Sequence, residues 1–493
     1  MTADLRLPAP LAPGDLDPAR ARPAAELVHR LTTRTLFGYR AGPGLRDWQA
    51  VEPVGDLAAM VPSTYNAGLG ASLRSYVVHL RQGVRWDTTP PRPVTAHDVV
   101  RGFTRVCAPT ARPAGIESLL SLVRGMRAYA ERYAEAVAGH EHDVEWHWAF
   151  QAADSIPGVF ALDAESLVVE LEQPAQDAVD VLALPCVAPA PVEYDDFVPG
   201  TADFLRHARA TGPYRIAEVA PDGGIRLEPN PVWDPATDPL RQRVFGTVTL
   251  RTDAPAPDLR PEADVPEVLR ACLLPNAAPG RPLADPARRR LVASAVDPEV
   301  VAAHLPGARA ATRVIPPGNS AGPAPARPGF RPADVTAGDL VLVHLNDAVV
   351  AEAVAGCLSR AGFQVTVREV TAAQHAELLY GRSDLEPDLV LTSWAARWRH
   401  HNYRAYLQPL LTRSVDRPVF DVLIEQALRA DSDPNATRAA WAAVEREALE
   451  RAAVIPLLHG PPSAARALPG MGPVTPLYSL GLAADPANLA LPV

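Results

Sequence analysis

The stretch Trp394-Ala-Ala-Arg-Trp-Arg-His-His-Asn-Tyr403 packs two tryptophans, two arginines, two histidines and a tyrosine into one short segment. Indole and phenol rings stack on ligands, guanidinium forks hold carboxylates or phosphates, and imidazole carries protons near neutral pH. Trp394, Arg397, Trp398, Arg399, His400, His401 and Tyr403 are therefore the candidate ligand-binding residues. In an enzyme, His400, His401 and Tyr403 would serve as acid or base, and Arg397 would stabilise negative charge. The plainer reading is a surface loop whose aromatics pack beneath it. The stretch follows a candidate strand, Asp388–Thr392, and ligands gather at the carboxyl ends of strands in α/β domains.

Other motifs carry less. Gly318-Asn-Ser-Ala-Gly322 has the form of a nucleophile elbow. An elbow needs a strand before it and a helix after it. Pro316 and Pro317 on one side, with Pro323, Pro325 and Pro328 on the other, oppose both. His140-Glu-His-Asp-Val-Glu-Trp-His147 suggests a metal, but the spacing of the zinc helix motif would need histidine where Val144 stands. A charged helix end or loop is expected there. Gly68-Leu-Gly70 lacks the third glycine of a dinucleotide loop. Asn435-Ala-Thr437 fits a glycosylation sequon, but its place at a helix start makes Asn435 an expected N-cap. Cys107, Cys186, Cys272 and Cys357 lie far apart and read as buried small hydrophobes. No cofactor and no metal is expected.

Composition sets outer limits. All 47 basic residues are arginine. Without lysine there is no Schiff base, no Walker-type phosphate loop, no kinase strand lysine and no serine–lysine hydrolase. The 53 prolines are spread along 493 residues whose apolar fraction is 47%, which describes a folded chain with stiff loops. A net charge of −10 argues against nucleic acid as a partner. No stretch is long and apolar enough to span a membrane. As written, the N-terminus shows no signal segment and no lipobox cysteine, which reads as cytoplasmic. An extracytoplasmic location is expected instead if Met1 replaces a removed signal or lipobox segment.

These motifs need elements to hold them. Strands are expected at Leu5–Leu7, Arg34–Tyr39 and Ser75–Leu80, with a helix at Ala21–Leu31. Thr95 caps a helix that carries Asp98 at its third position, an acidic form of the capping box. Residues 109–157 read as helical and polar, including Glu117–Ala138. A hairpin follows at 160–172, and further strands lie within 213–251. The second half alternates: Asp339–Leu345 strand, Val349–Ala361 helix, Phe363–Val370 strand, Ala372–Tyr380 helix, Asp388–Thr392 strand. That alternation marks an α/β lobe with a largely parallel sheet. Helices at Val419–Ala430 and Ala436–Arg451 come next. The Pro/Gly tract 316–331 is a loop or linker, and 455–493 is a Pro- and Leu-rich tail.

One series of motifs is recognisable as a set. Arg81-Gln-Gly-Val-Arg-Trp86, followed by Pro93-Val-Thr-Ala-His-Asp-Val-Val100, resembles the hallmark of the peptide/nickel class (family 5) of extracellular solute-binding proteins of ABC importers. Val54-Gly-Asp-Leu-Ala58 resembles that family's V-P-D-L-A, with Gly55 where the family has proline. Val123–Tyr129, Thr211–Tyr214, Leu227–Trp233, Asp285–Asp297 and Ile455–Leu457 resemble later pieces in the same order.

The resemblance implies a type II-like periplasmic-binding-protein fold: two α/β lobes around a ligand cleft, plus an extra α+β domain. Lobe one would take 1–40, 158–255 and 460–493, the extra domain 41–157, and a shortened lobe two 256–459. The implied function is a monomeric solute-binding protein that traps a small molecule and presents it to an ABC permease if exported. The family pattern aligned with Trp394–His401 is W-x-A-D-[YW]-P-D-P, in which the first Asp holds a peptide's amino group. Arg397 stands at that position here, and Arg399, His400 and His401 replace the closing P-D-P. A guanidinium repels an ammonium, so an anionic or aromatic ligand is expected. The alternative is an intracellular binding fold repurposed as a ligand sensor or as an enzyme of specialised metabolism, running a cyclisation, isomerisation or hydrolysis.

Overall fold

Two strands of the first half alternate apolar and polar residues, and their burial follows that period of two. In Ile225–Pro229, Ile225 and Leu227 are buried and Arg226 is exposed; in Thr247–Arg251, Val248 and Leu250 are buried. The computed structural model describes residues 2–6, 11–22, 25–41, 49, 51–221, 223–251, 267–317, 337–380, 383–398, 401–430 and 433–460. Its described residues up to 251 form one compact unit, and those from 267 form a second.

In the first unit, Thr2–Arg6 runs parallel to Thr247–Arg251, and Ile225–Pro229 and Tyr214–Val219 complete a four-stranded sheet in antiparallel fashion. The helix Glu26–Thr32 sets Leu27, Val28 and Leu31 into the same core as Tyr194, Phe204 and Tyr214. Gly212 sits where an added Cβ would lie 2.5 Å from the Leu31 carbonyl oxygen, so Thr211-Gly-Pro-Tyr214 needs its glycine. Asn230 Nδ2 donates to Gly212 O at 3.0 Å, tying that turn to Asn230-Pro-Val-Trp233.

A three-stranded sheet joins Ser75–His79, Ser166–Glu170 and Val159–Ala161. Beside it, Asp98 gathers the hallmark residues. Trp86 Nε1 donates to its carboxylate at 3.1 Å, Arg92 grips both oxygens at 3.1 Å, and the Thr95 amide donates at 2.9 Å. The last of these is half of the expected capping box of the helix Ala96–Val106. The expected helix Glu117–Ala138 is two helices, Ile116–Leu122 and Met126–Ala136. They part because Val123 turns extended to bridge Leu171 and Gly125 takes a left-handed φ of 71°.

Asp56 is the second heavily bonded acid of this unit, after Asp98. Its two carboxylate oxygens accept from Arg34 Nε at 2.7 Å and Arg241 Nη2 at 2.8 Å. Its carbonyl accepts from Arg34 Nη2 at 2.9 Å and Arg81 Nε at 3.0 Å. The Asp56 and Arg34 side chains are 0% exposed. Burial alone would raise the Asp56 pKa, but the Arg241 and Arg34 charges outweigh it and hold the carboxyl well below the usual range. Neighbouring Gly55 has no room for a side chain: a Cβ there would lie 2.4 Å from Ala58 O. The local backbone therefore excludes the proline that the family pattern carries.

The second unit holds a six-stranded sheet. In spatial order its strands are Arg309–Ala310, Ile455–Gly460, Val268–Pro275, Leu389–Trp394, Asp339–His344 and Gln364–Glu369. Only the pairs made by Asp339–His344 are parallel; the other three are antiparallel. The largely parallel sheet expected from the strand–helix alternation is thus corrected to a mixed one. Two buried strands outside that alternation, Val268–Pro275 and Ile455–Gly460, return alongside it. Helix Ala348–Arg360 covers the sheet with Val350, Val354 and Leu358. Helix Pro434–Glu450 is capped by Asp433, which accepts from the Asn435 amide at 2.9 Å, so Asn435 is not the cap expected. Glu445 on that helix accepts from Arg313 at 2.7 Å and from the Val314 and Ile315 amides at 2.9 Å. All four cysteines are buried and free. Gly318–Gly322 and residues 461–493 lie outside the described residues.

Asp56→Asn leaves two buried guanidiniums facing a neutral amide. It should cost about 3–5 kcal/mol in denaturant unfolding, against less than about 1 kcal/mol for breaking the exposed Arg417–Asp421 pair. Equal effects from the two changes would contradict this reading. Gly55→Ala, although smaller than the proline of the family pattern, should lower the melting temperature rather than raise it.

Candidate ligand-binding site

Leu389-Val-Leu-Thr392 is buried on both sides by its sheet neighbours, which fixes where the strand ends. Leu269 pairs with Trp394, Leu273 with Leu391, and Leu342 with Leu389. The chain leaves this frame at Trp394 and enters the helix Tyr403–Leu411. The candidate residues therefore occupy one short strand-to-helix connection.

Trp394 is half-buried and oriented at both ends. Its Nε1 donates to Ala405 O at 2.9 Å, and its ring centroid lies 6.1 Å from that of Tyr380 at a tilt of 39°. Arg397 is half-buried, and desolvation pulls its pKa down to about 10, so the guanidinium stays charged at neutral pH. Trp398 is buried, its carbonyl accepting from Asn402 Nδ2 at 3.1 Å. Its indole N–H is also buried and finds no acceptor among the described residues. His401 is exposed, with a left-handed φ of 50°, and Tyr403 is the half-buried first residue of the helix. Arg399 and His400 lie outside the described residues.

Chemically, the connection offers a fixed indole face, a permanent cation, an exposed imidazole and a phenol. Sequence reasoning missed the residues that brace it. Tyr380 ends a helix and backs Trp394; Asn402 pins the loop from within. Arg270 lies next to Leu269, the register partner of Trp394, and pairs with Asp347 at 3.2 Å. Arg270 belongs to the strand that the Pro-rich stretch before it had concealed. Among the described residues, no group of three or more His, Cys, Asp or Glu side chains is placed to hold a metal ion. In the His140–His147 segment, the His147 ring is instead bonded to Tyr133 at 2.8 Å, and His140 stacks on Trp146.

Residues 71–257 match the model of the middle part of the bacterial extracellular solute-binding proteins, family 5. No curated protein sequence matches the chain. Among solved structures, a clavulanic acid biosynthesis oligopeptide binding protein 2 is similar at 24% identity and a TM-score of 0.69, covering 100% of this chain and 96% of its own. Haemophilus influenzae OppA in complex with RPPGFSPFR is similar at 16% identity and a TM-score of 0.73, covering 100% and 99%. The Escherichia coli murein tripeptide binding protein MppA is similar at 18% identity and a TM-score of 0.72, covering 100% and 98%. These likenesses, along the full chain, show the periplasmic-binding-protein fold that the motif series implied.

Trp398→Phe keeps a buried aromatic ring but removes part of the indole's volume together with its N–H. The cost should be that of the lost volume alone, about 1–3 kcal/mol in denaturant unfolding, because no protein hydrogen bond is lost. A loss above about 4 kcal/mol would mean that the N–H has a partner in the folded chain.

Proposed function

We propose that this chain, which belongs to the family 5 bacterial extracellular solute-binding proteins, captures a small anionic or aromatic solute and presents it to an ABC permease when exported. The observation that carries this reading is Arg397: a half-buried, permanently charged guanidinium at the carboxyl end of a central strand. The family resemblance places there the carboxylate that holds a peptide's amino group. With the sign reversed, a free N-terminus is disfavoured and a carboxylate or phosphate favoured. Trp394, held by Ala405 and Tyr380, supplies a preset face for an aromatic group. Arg399, His400, His401 and Tyr403 complete the proposed set, with Trp398 as its buried floor. No helix among the described residues is long and apolar enough to cross a membrane.

A second reading keeps the fold and changes its use. One similar structure carries clavulanic acid biosynthesis in its name, which favours a role in specialised metabolism. In that reading His400, His401 and Tyr403 move protons and Arg397 steadies developing negative charge. Mass spectrometry of a bound solute after long incubation separates the two: unchanged solute supports binding, conversion supports the enzyme.

A thermal-shift screen of carboxylates, phosphates and amines tests the main reading. Anions should stabilise the chain and simple amines should not. Arg397→Ala should weaken the best anion by roughly 10- to 100-fold, in keeping with about 1.5–3 kcal/mol for a charged hydrogen bond. Because arginine keeps its charge, affinity should stay flat between about pH 7 and 9. A fall across neutral pH would assign the grip to histidine instead.

A further inference from the structure

Helix Glu26–Thr32 buries His29 in the first unit. The His29 Nε2 atom lies 3.1 Å from Leu16 O. A carbonyl can only accept, so Nε2 carries the proton and Nδ1 keeps its lone pair. Burial, opposed by the Leu16 contact and the Asp17 charge, lowers the imidazole pKa to about 4, which keeps the ring neutral at ordinary pH. The Nδ1 atom is buried and meets no donor among the described residues.

Beside this ring lies a cavity of about 30 Å³, lined in part by Glu26, Arg30, Thr35, Tyr39 and Arg241 as well as His29. A water needs roughly 10–15 Å³ and two to four polar partners, so the space suits one or two. The walls mix apolar surface with polar groups: Arg30 Nη2 donates to Tyr39 O at 3.3 Å and Leu240 O at 3.1 Å, and Arg241 Nε donates to Arg30 O at 2.8 Å, which leaves carbonyl oxygens able to accept from an occupant. A dry void would leave the lone pair of His29 unmet, and buried polar atoms are as a rule met by the protein or by ordered water.

We propose that this cavity is a built site for one or two small hydrogen-bond donors, water in solution, that donate to His29 Nδ1. The occupant joins the helix Glu26–Thr32 to the arginine frame around Asp56 and acts as a part of the fold. The site is independent of the solute-binding reading, so either can fail without the other.

Crystals of the full chain under xenon pressure test it. The expected result is an ordered water within hydrogen-bond distance of His29 Nδ1 and no xenon in the cavity. Xenon density there, or a protein donor on Nδ1 with no water, overturns the proposal. Long-range proton–nitrogen spectra give a second reading: Nδ1 should show the shift of a hydrogen-bonded acceptor, and the shift of a bare nitrogen overturns it. His29→Phe keeps the bulk and deletes the acceptor. It should melt below His29→Gln, and an equal or higher melting temperature counts against the site. Where either variant does not fold, the crystal and the spectra decide.

Discussion

The buried meeting of Asp56 with Arg34 and Arg241 is the constraint on which the first unit rests. Four charges have left water, Asp238 joining through Arg241, and that is tolerated because each guanidinium meets a carboxylate and further carbonyl or hydroxyl oxygens. The cluster binds pieces remote in sequence: the turn after Glu26–Thr32, the Val54–Ala58 segment, the Arg81 loop and the 237–241 turn. A lysine could not do this work. Arg34 alone reaches Asp56 Oδ1, Asp56 O, Thr237 O and Thr237 Oγ1, a spread that needs the planar fork. An all-arginine chain can therefore build its frame from bidentate contacts, and Asp98 with Arg92 repeats the device.

The proposed function gives the same chemistry to a solute in the second unit. A central strand buried on both faces stops at Trp394, whose ring is fixed from two sides. The arginine that follows is partly stripped of water yet stays charged. Partial desolvation strengthens its attraction for an anion and its repulsion of an ammonium alike. The frame arginines pair with carboxylates of the chain itself, and at Arg397 the proposed function adds a solute.

Much of this was legible in the sequence. The strand–helix alternation from Asp339 to Thr392 gave each element within a residue or two, because apolar period and turn residues agree there. Asp98 at the third helical position announced its cap. The mixed sheet was not legible: Val268–Pro275 follows a Pro-rich stretch and Ile455–Gly460 sits in a tail, and nothing local says where a buried strand returns. The break at Val123–Gly125 was hidden because helical neighbours outweigh one left-handed glycine. For the site, the residue types of Trp394–Tyr403 marked the place. Their roles were not legible, because the burial of Trp398 and the bracing by Tyr380 depend on partners distant in sequence. His29 gave no signal either, since the Leu16 carbonyl that sets its tautomer is known only once the chain is folded.

The central claim is that the charge at Arg397 selects the solute. Titration calorimetry on the original chain and on Arg397→Asp, each with two dipeptides, tests it most directly. One dipeptide is N-acetylated with a free carboxylate; the other has a free amine and a C-terminal amide. The original chain should favour the acetylated acid by at least about tenfold, near 1.4 kcal/mol, and Arg397→Asp should reverse the order. The same order of affinity in both proteins, or a preference of the original chain for the free amine, would contradict the account.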